Sequence, residues 1–241
     1  IHLNNRTFKT RLWARNAEYA AWLKRYRENT KYLPGISIPE SVKITAELPE
    51  ALEGTDLIVL AVPSQFCRSV LIHMMPAYPK DTPVVSVVKG IENETLLLPS
   101  DIVKDVLGKV RVGVLSGPSH SEEVARHLPT SVVVASKDTE LMKTLQQVFT
   151  GDRLRVYTNP DLIGVEFGGA SKNVIAIAAG ICEGMGLGDN ARAALVSRGL
   201  VEMARLGTAM GAKKNTFFGL SGLGDLVTTC YSPYGRNREV G

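Results

Sequence analysis

The segment GGASKNVIAIAAG, Gly168 to Gly180, is small and apolar apart from Ser171, Lys172 and Asn173. A lysine in such a stretch either snorkels to the surface or faces a polar cavity that offsets the cost of its charge. On a helix, Gly168, Ala176 and Ala179 share the Lys172 face, which lets another backbone or a ligand approach the amine closely. A partly desolvated lysine has a lowered pKa and can act as a general base near neutrality. Asp225 stands among Gly and Leu in GLSGLGDLVTTC, with Thr228 and Thr229 one turn on. It is either a surface acid or the partner that allows Lys172 to stay inside. Lys89 closes the apolar run TPVVSVVKG and would project its ammonium into the crevice at a strand end. In GRNREVG, Arg236 and Asn237 with Arg238 form either a solvated loop or a donor cluster suited to phosphate oxygens.

The chain that must position these groups has 241 residues, enough for one large domain or two modest ones with a proper core. Its net charge of +4 is too small to argue for nucleic acid and suits an anionic small substrate. No apolar stretch reads as long enough to span a membrane. The three cysteines, Cys67, Cys182 and Cys230, are far apart and odd in number, which points to reduced thiols and a cytoplasmic location. His120 and His127 flank SEEVAR without zinc spacing, so no metal site is expected.

Up to residue 161, β-branched runs alternate with helical patterns. Strands are expected over Phe8–Arg15, in SVKIT, over Asp56–Ser64, Thr82–Gly90, Val110–Ser119, Thr130–Lys137 and in LRVYTNP. Helices are expected over Ala17–Thr30, in ELPEALEG, and over Arg68–Met75, Leu97–Leu107 and TELMKTLQQVFTG. Val/Ile/Leu runs separated by helices imply a mostly parallel sheet covered on both faces, that is, a doubly wound α/β domain over 1–161. From about Asp161 the pattern turns helical: Leu162–Met185, then Ala191–Met210 capped by Asp189 or Asn190 and stopped by Gly211, then a helix from near Thr216. A separate all-helical domain is therefore expected over 162–241, joined through a hinge at YTNPD.

In an open parallel sheet, ligands bind outside the carboxyl ends of the strands. Three of those ends, Val62-Pro63-Ser64, Val88-Lys89-Gly90 and Ser116-Gly117-Pro118-Ser119, replace apolar residues with small or polar ones. Ordinary turn formation would account for the same composition. A G-x-G-x-x-G loop is absent from the 241 residues, which fits a chain that starts after its first strand and lacks its closing element. Arg15 stands at the end of the next strand, where an acid would read the ribose of NAD and an arginine accommodates the 2′-phosphate of NADP. A solvated surface arginine is the alternative.

Taken together, LWARN, YLPGISIP, DLIVLAVPS, VVKGIE, SGPS, the long run from NPDLIGVEFGGASKNV to MARLG, GLSGLGDLVTTC and GRNREVG resemble the bacterial-type NAD(P)-dependent glycerol-3-phosphate dehydrogenases over essentially the whole chain. The resemblance implies a Rossmann-like domain followed by a helical substrate domain. It also implies interconversion of dihydroxyacetone phosphate and sn-glycerol 3-phosphate, feeding glycerophospholipid synthesis, with homodimerisation possible for the family. On it, Lys172 is the proton acceptor. Lys89, Gly117, Ser119, Asp225, Gly235, Arg236 and Asn237 fall on substrate positions, and Arg15, Lys89, Ser121 and Arg236 on cofactor positions.

Three departures stand out: the missing glycine loop, Gly235 where many members carry serine, and Ser121 where alanine is usual. Without the loop, the chain is expected to bind dinucleotide poorly. The competing expectations are a related hydroxy-acid dehydrogenase, which would not need the Arg-Asn-Arg cluster, and a non-catalytic scaffold of the same fold.

Overall fold

Successive residues of a strand point to opposite faces of a sheet, and in this protein both faces are covered. A computed structural model describes residues 1–6 and 8–241. The chain opens with a short helix α1 (His2–Asn5), strand β1 (Arg11–Trp13), helix α2 (Ala17–Tyr26), and strands β2 (Glu28–Asn29), β3 (Leu33–Ser37) and β4 (Lys43–Thr45). There follow α3 (Leu48–Leu52), β5 (Ile58–Leu60), α4 (Cys67–Met74), β6 (Val84–Ser86), α5 (Pro99–Leu107), β7 (Val112–Ser116), α6 (Ser121–Ala125), β8 (Thr130–Ala135), α7 (Thr139–Phe149) and β9 (Leu154–Asn159). Helices α8 (Leu162–Gly184), α9 (Gly188–Ala209), α10 (Asp225–Tyr231) and α11 (Arg236–Val240) complete it.

The main sheet runs β5-β6-β7-β8-β9, parallel throughout except where β7 meets β8. β1 and β4 form a separate parallel pair, and β2–β3 an antiparallel hairpin. Val84 and Val85, neighbours in β6 and both fully buried, belong to different cores. Val84 packs with Leu52, Leu71 and Ile102 from α3, α4 and α5, whereas Val85 packs with Leu141, Leu145 and Phe149 from α7. The same alternation in β8 sends Val132 and Val134 toward α7, and Val133 and Ala135 toward Leu162 and Val165 of α8. This is the doubly wound Rossmann-like arrangement followed by helices, and α8 rests directly on the sheet.

Several elements differ from the sequence reading. The ladders of the main sheet are three to six residues long, shorter than the seven to ten expected for its strands, because only the stretch with a hydrogen-bonded neighbour pairs. Helix α2 stops at Tyr26 instead of Thr30: Arg27 turns left-handed (φ 50°) and its N–H bonds back to the Leu23 carbonyl, which starts the unexpected β2–β3 hairpin. Neither Asp189 nor Asn190 caps α9, which begins a turn earlier at Gly188 with no side-chain cap, and Asp189 pairs instead with Arg192 inside the first turn. The segment near Thr216 is a tight turn (Lys214–Phe218) and a wide one (Leu220–Gly224) before α10 begins.

Helix α8, at 23 residues, is long and apolar enough by composition to cross a membrane, contrary to the sequence expectation. Its most apolar window is nevertheless 61% buried within the protein, with Glu166 and Lys172 among the buried residues, so its apolar character serves core packing. Asp161 fixes its start. The carboxylate caps the helix through Gly164 N at 3.0 Å, and also accepts from Lys213 N at 2.8 Å and Thr216 Oγ1 at 2.7 Å.

Glycines on α8 set how closely later segments approach. A Cβ on Gly180 would stand 1.9 Å from the Arg238 carbonyl oxygen, whereas one on Gly184 meets nothing within 4 Å. Opposite signs are therefore expected one turn apart. Gly180→Ala overpacks the α8–α11 contact and should destabilise by about 1–3 kcal/mol. Gly184→Ala should be neutral or stabilising by up to about 1 kcal/mol. Thermal melts of the two variants check the pair.

Candidate active site

Lys172 lies midway along α8, only 5% exposed, on a face cleared by small residues. A Cβ on Gly168 would come 2.7 Å from the Ser221 carbonyl oxygen, so glycine there lets the 220–224 turn run against the helix. That turn delivers Asp225 as the first residue of α10, 2% exposed, directly beside Lys172. Asp225 Oδ1 accepts from Lys172 Nζ, and Oδ2 accepts from Lys89 Nζ at 2.6 Å. One turn on, Thr229 Oγ1 accepts from Lys172 Nζ at 2.5 Å while donating to the Asp225 carbonyl at 2.7 Å. Lys89 Nζ also donates to the Gly117 carbonyl at 2.9 Å, which accepts from Ser119 Oγ at 3.0 Å as well. The network therefore runs from the ends of β6 and β7 to α8 and α10, and it reaches solvent through Lys89, whose side chain is 24% exposed.

Two ammonium groups share one carboxylate, so the site carries a net positive charge. Burial pushes the Lys172 amine down to about 8; the Lys89 charge adds to this, and Asp225 opposes it. The neighbouring Cys230 thiol is pushed up to about 11 by burial and stays neutral. Gly117 holds φ +127°, and a Cβ there would lie 3.2 Å from Val132 Cα, so the carbonyl that receives Lys89 depends on glycine.

Lys172, Lys89, Asp225, Gly117 and Ser119 thus form one hydrogen-bonded group. Gly235 is joined to it sterically: it is buried, and a Cβ would stand 2.4 Å from the Thr229 carbonyl oxygen. A serine at that position would require α11 to move. Arg236 is exposed and Asn237 half-buried at the start of α11, and neither makes a side-chain hydrogen bond to this group among the described residues. The Arg-Asn-Arg cluster is also divided, because Arg238 is committed to Glu183 and to the Ser232 carbonyl at 3.2 Å, leaving Arg236 as its open guanidinium. Ser121 is exposed at the start of α6 and donates to Glu122 at 3.1 Å.

Three buried polar groups are additional to the sequence expectation. Thr229 is a ligand of Lys172. Ser116 Oγ is buried without a partner among the described residues, 2.6 Å from where a Gly169 Cβ would sit. Glu166 bonds to Ser100. An acid inside VEFGG was the available signal for Glu166; Thr229, one turn after Asp225, and Ser116, at a polar strand end, were marked by position, but a hydroxyl side chain does not disclose its partner.

The carboxyl ends of β5, β6 and β7 open on one edge of the sheet, as expected of parallel neighbours. Arg15 follows β1, exposed, with no ion pair among the described residues. An exposed guanidinium at that strand end suits the phosphate of an anionic dinucleotide. A doubly wound sheet leading into helices, with a buried lysine at its strand ends, is the architecture shared by two-part dinucleotide-dependent dehydrogenases.

The comparisons with known proteins narrow the class. The model for the NAD-dependent glycerol-3-phosphate dehydrogenase N-terminus matches residues 1–142, and that for the C-terminus of the same family matches 161–241. A glycerol-3-phosphate dehydrogenase [NAD(P)+] of Moorella thermoacetica is 52% identical over the whole chain, which covers 72% of that protein. The crystal structure of a glycerol-3-phosphate dehydrogenase from Coxiella burnetii matches with a TM-score of 0.94 at 42% identity, covering 98% of this chain and 72% of that one. A ketopantoate reductase from Ralstonia eutropha, 19% identical with a TM-score of 0.62 over 88% of this chain and 70% of that one, shares the fold alone. The chain belongs to the NAD-dependent glycerol-3-phosphate dehydrogenase family.

The shared carboxylate makes a direct prediction. Asp225→Asn removes the charge that supports both ammonium groups, so the Lys172 midpoint should fall below its present value of about 8. Removing one partner of a buried pair costs about 3–5 kcal/mol. NMR titration of isotope-labelled lysine, together with a denaturant melt, checks both effects.

Proposed function

We propose that this chain is an oxidoreductase that interconverts sn-glycerol 3-phosphate and dihydroxyacetone phosphate with NAD(P), with Lys172 as the proton acceptor and donor. The observation that carries this reading is the burial of Lys172 beside a carboxylate it shares with Lys89. A substrate unit over 162–241 and a dinucleotide unit over 1–161 would meet at that network.

Oxidising a secondary alcohol requires its carbon-bound hydrogen to leave as hydride while the hydroxyl loses a proton. A bound nicotinamide supplies the hydride acceptor. Lys172 as neutral amine takes the hydroxyl proton, and in reverse its ammonium polarises and protonates the ketone. Asp225 and Thr229 hold two of the directions around Nζ, which aims the remaining one at the substrate oxygen. Lys89 keeps the amine's proton loosely held and, with Ser119 and the Gly117 carbonyl, lines the substrate's approach. Arg236 and Asn237 grip the phosphate, and that remote binding energy positions the reacting carbon. Gly235 contributes by packing on Thr229. On the dinucleotide side Arg15 takes the ribose phosphate, favouring NADP over NAD, with Lys89, Ser121 and Arg236 completing the contacts. The product glycerol phosphate would feed glycerophospholipid synthesis, and the unpaired Cys67, Cys182 and Cys230 support a reducing, cytoplasmic setting.

Lys172→Met tests the proposal. Methionine keeps the apolar stem, and Asp225 keeps Lys89 as its counter-ion, so the fold should survive. Acid–base catalysis contributes about 10²–10⁴-fold, and kcat should fall by that much. In the parent, kcat for alcohol oxidation should rise with pH through about 8 as the amine loses its proton, and ketone reduction should decline above it. A normally melting variant with parental kcat would refute the role.

Cofactor choice tests Arg15 separately. Losing a charged contact to phosphate is worth about 1.5–3 kcal/mol, so Arg15→Asp should shift the NADPH to NADH ratio of kcat/KM by about tenfold to a hundredfold. An unchanged ratio would make Arg15 a surface residue.

A further inference from the structure

Glu166 is 2% exposed and has no cation within bonding distance among the described residues. It spends both carboxyl oxygens on a single residue of another helix. Oε1 accepts from Ser100 N at 2.7 Å, and Oε2 lies 2.5 Å from Ser100 Oγ. Ser100 is the second residue of α5. Pro99 before it has no N–H, and the Leu98 cap position offers no side-chain acceptor, so the first free N–H of α5 is satisfied by a residue of α8.

The place of this contact gives it meaning. The chain between β6 and α5 carries Lys89, and its far end is fixed by the start of α5. Midway it is tied down by Arg68, which binds Glu92 at 2.9 Å, and by Gln65, which donates to the Ile91 carbonyl at 2.9 Å. Along α8, positions 166, 169 and 172 follow one another at three-residue steps. Glu166 holds α5, Gly169 lets Ser116 of β7 approach (a Cβ there would lie 2.6 Å from Ser116 Oγ) with the Lys89 stem at ordinary contact distance beside it, and Lys172 meets Asp225. Leu98 packs in the same core as Phe167, so this end of the Lys89 segment is seated on α8 by apolar contact as well.

We infer that Glu166 is a positioning residue: by capping α5 from α8 it sets the register of the Lys89 segment over the Lys172–Asp225 pair. The inference rests on the catalytic reading above, but its main readout does not. Burial pushes the Glu166 carboxyl up to about 7, opposed by its Ser100 bonds; Asp101 on α5 raises it and Lys104 lowers it. From α4 the nearby Cys67 thiol, pushed up to about 12, stays neutral. Either protonation state retains both contacts, since the protonated oxygen can donate to Ser100 Oγ where the ionised one accepts. A glutamine side chain offers the same acceptor and donor.

The test uses Glu166→Gln, Glu166→Ala and Ser100→Ala, with Lys172 titrated by NMR of isotope-labelled lysine beside steady-state kinetics and melting. Glu166→Ala should let the Lys89 ammonium drift from Lys172, moving the Lys172 midpoint upward by about one unit, the scale of a lost like-charge neighbour. It should lower kcat more than it raises KM. Glu166→Gln should restore both, and Ser100→Ala, which keeps the backbone bond, should shift the midpoint part of the way. A folded Glu166→Ala protein with the parental Lys172 midpoint would overturn the inference and leave the contact purely stabilising. So would a glutamine variant as impaired as alanine. If Glu166→Ala does not fold, an unshifted midpoint in Ser100→Ala overturns it. Because the NMR midpoint is read without substrate, these outcomes are separate from a failure of Lys172→Met to lower kcat.

Discussion

One carboxylate serving two ammonium groups is the constraint around which the rest of the molecule is arranged. Asp225 is nearly inaccessible, and each of its oxygens is taken by a different lysine, one from α8 and one from the end of β6. A single ion pair at that depth would be close to neutral overall. The second lysine leaves a surplus positive charge where an anionic substrate has reason to bind, and it loosens the proton on Lys172. Neither effect is available from α8 alone. Sheet, core helix and terminal helices have to converge within hydrogen-bonding distance of one residue.

Convergence that tight depends on what is missing from side chains. Gly168, Gly180 and Gly235 each lie where a single added carbon would come within 2.7 Å of a carbonyl oxygen of another segment. The backbone of 220–224 and the last helix can therefore lie flush on α8 and α10. Gly117 contributes differently, by adopting a conformation other residues resist, so that its carbonyl meets Lys89. Small residues here do the work that long side chains do in a looser site: they fix the distances between charges.

How far this was legible in the sequence follows from the kind of signal each feature leaves. Lys172 and Asp225 are charges inside apolar runs, and such residues announce a partner even when the partner is unknown. Alternating apolar runs and helices likewise disclosed the sheet, since buried parallel strands are continuous in Val, Ile and Leu. Glu166 leaves the same mark, but its partner is a backbone N–H 66 residues earlier, which composition does not display. The hairpin after α2 was hidden for a related reason. The left-handed turn at Arg27 is held by the Val42 carbonyl at 2.8 Å and by Glu40 at 3.2 Å, contacts that exist only once the chain has folded back. The division of the Arg-Asn-Arg cluster also depends on Glu183, a helix away.

The alternation of β8 has a consequence for how the molecule comes apart. Val133 and Ala135 of the sheet share one apolar core with Leu162 and Val165 of α8, on the face opposite α7. A boundary drawn in the chain at Asp161 therefore passes through a packed interior, and the residues either side of it lose water from the same surface. Swinging the helical part away as a rigid body would re-expose that surface, at a free-energy cost proportional to its area. The two parts should consequently share one cooperative unit of protection against amide exchange across β8 and the first turns of α8, with slower exchange there than at the β2–β3 hairpin.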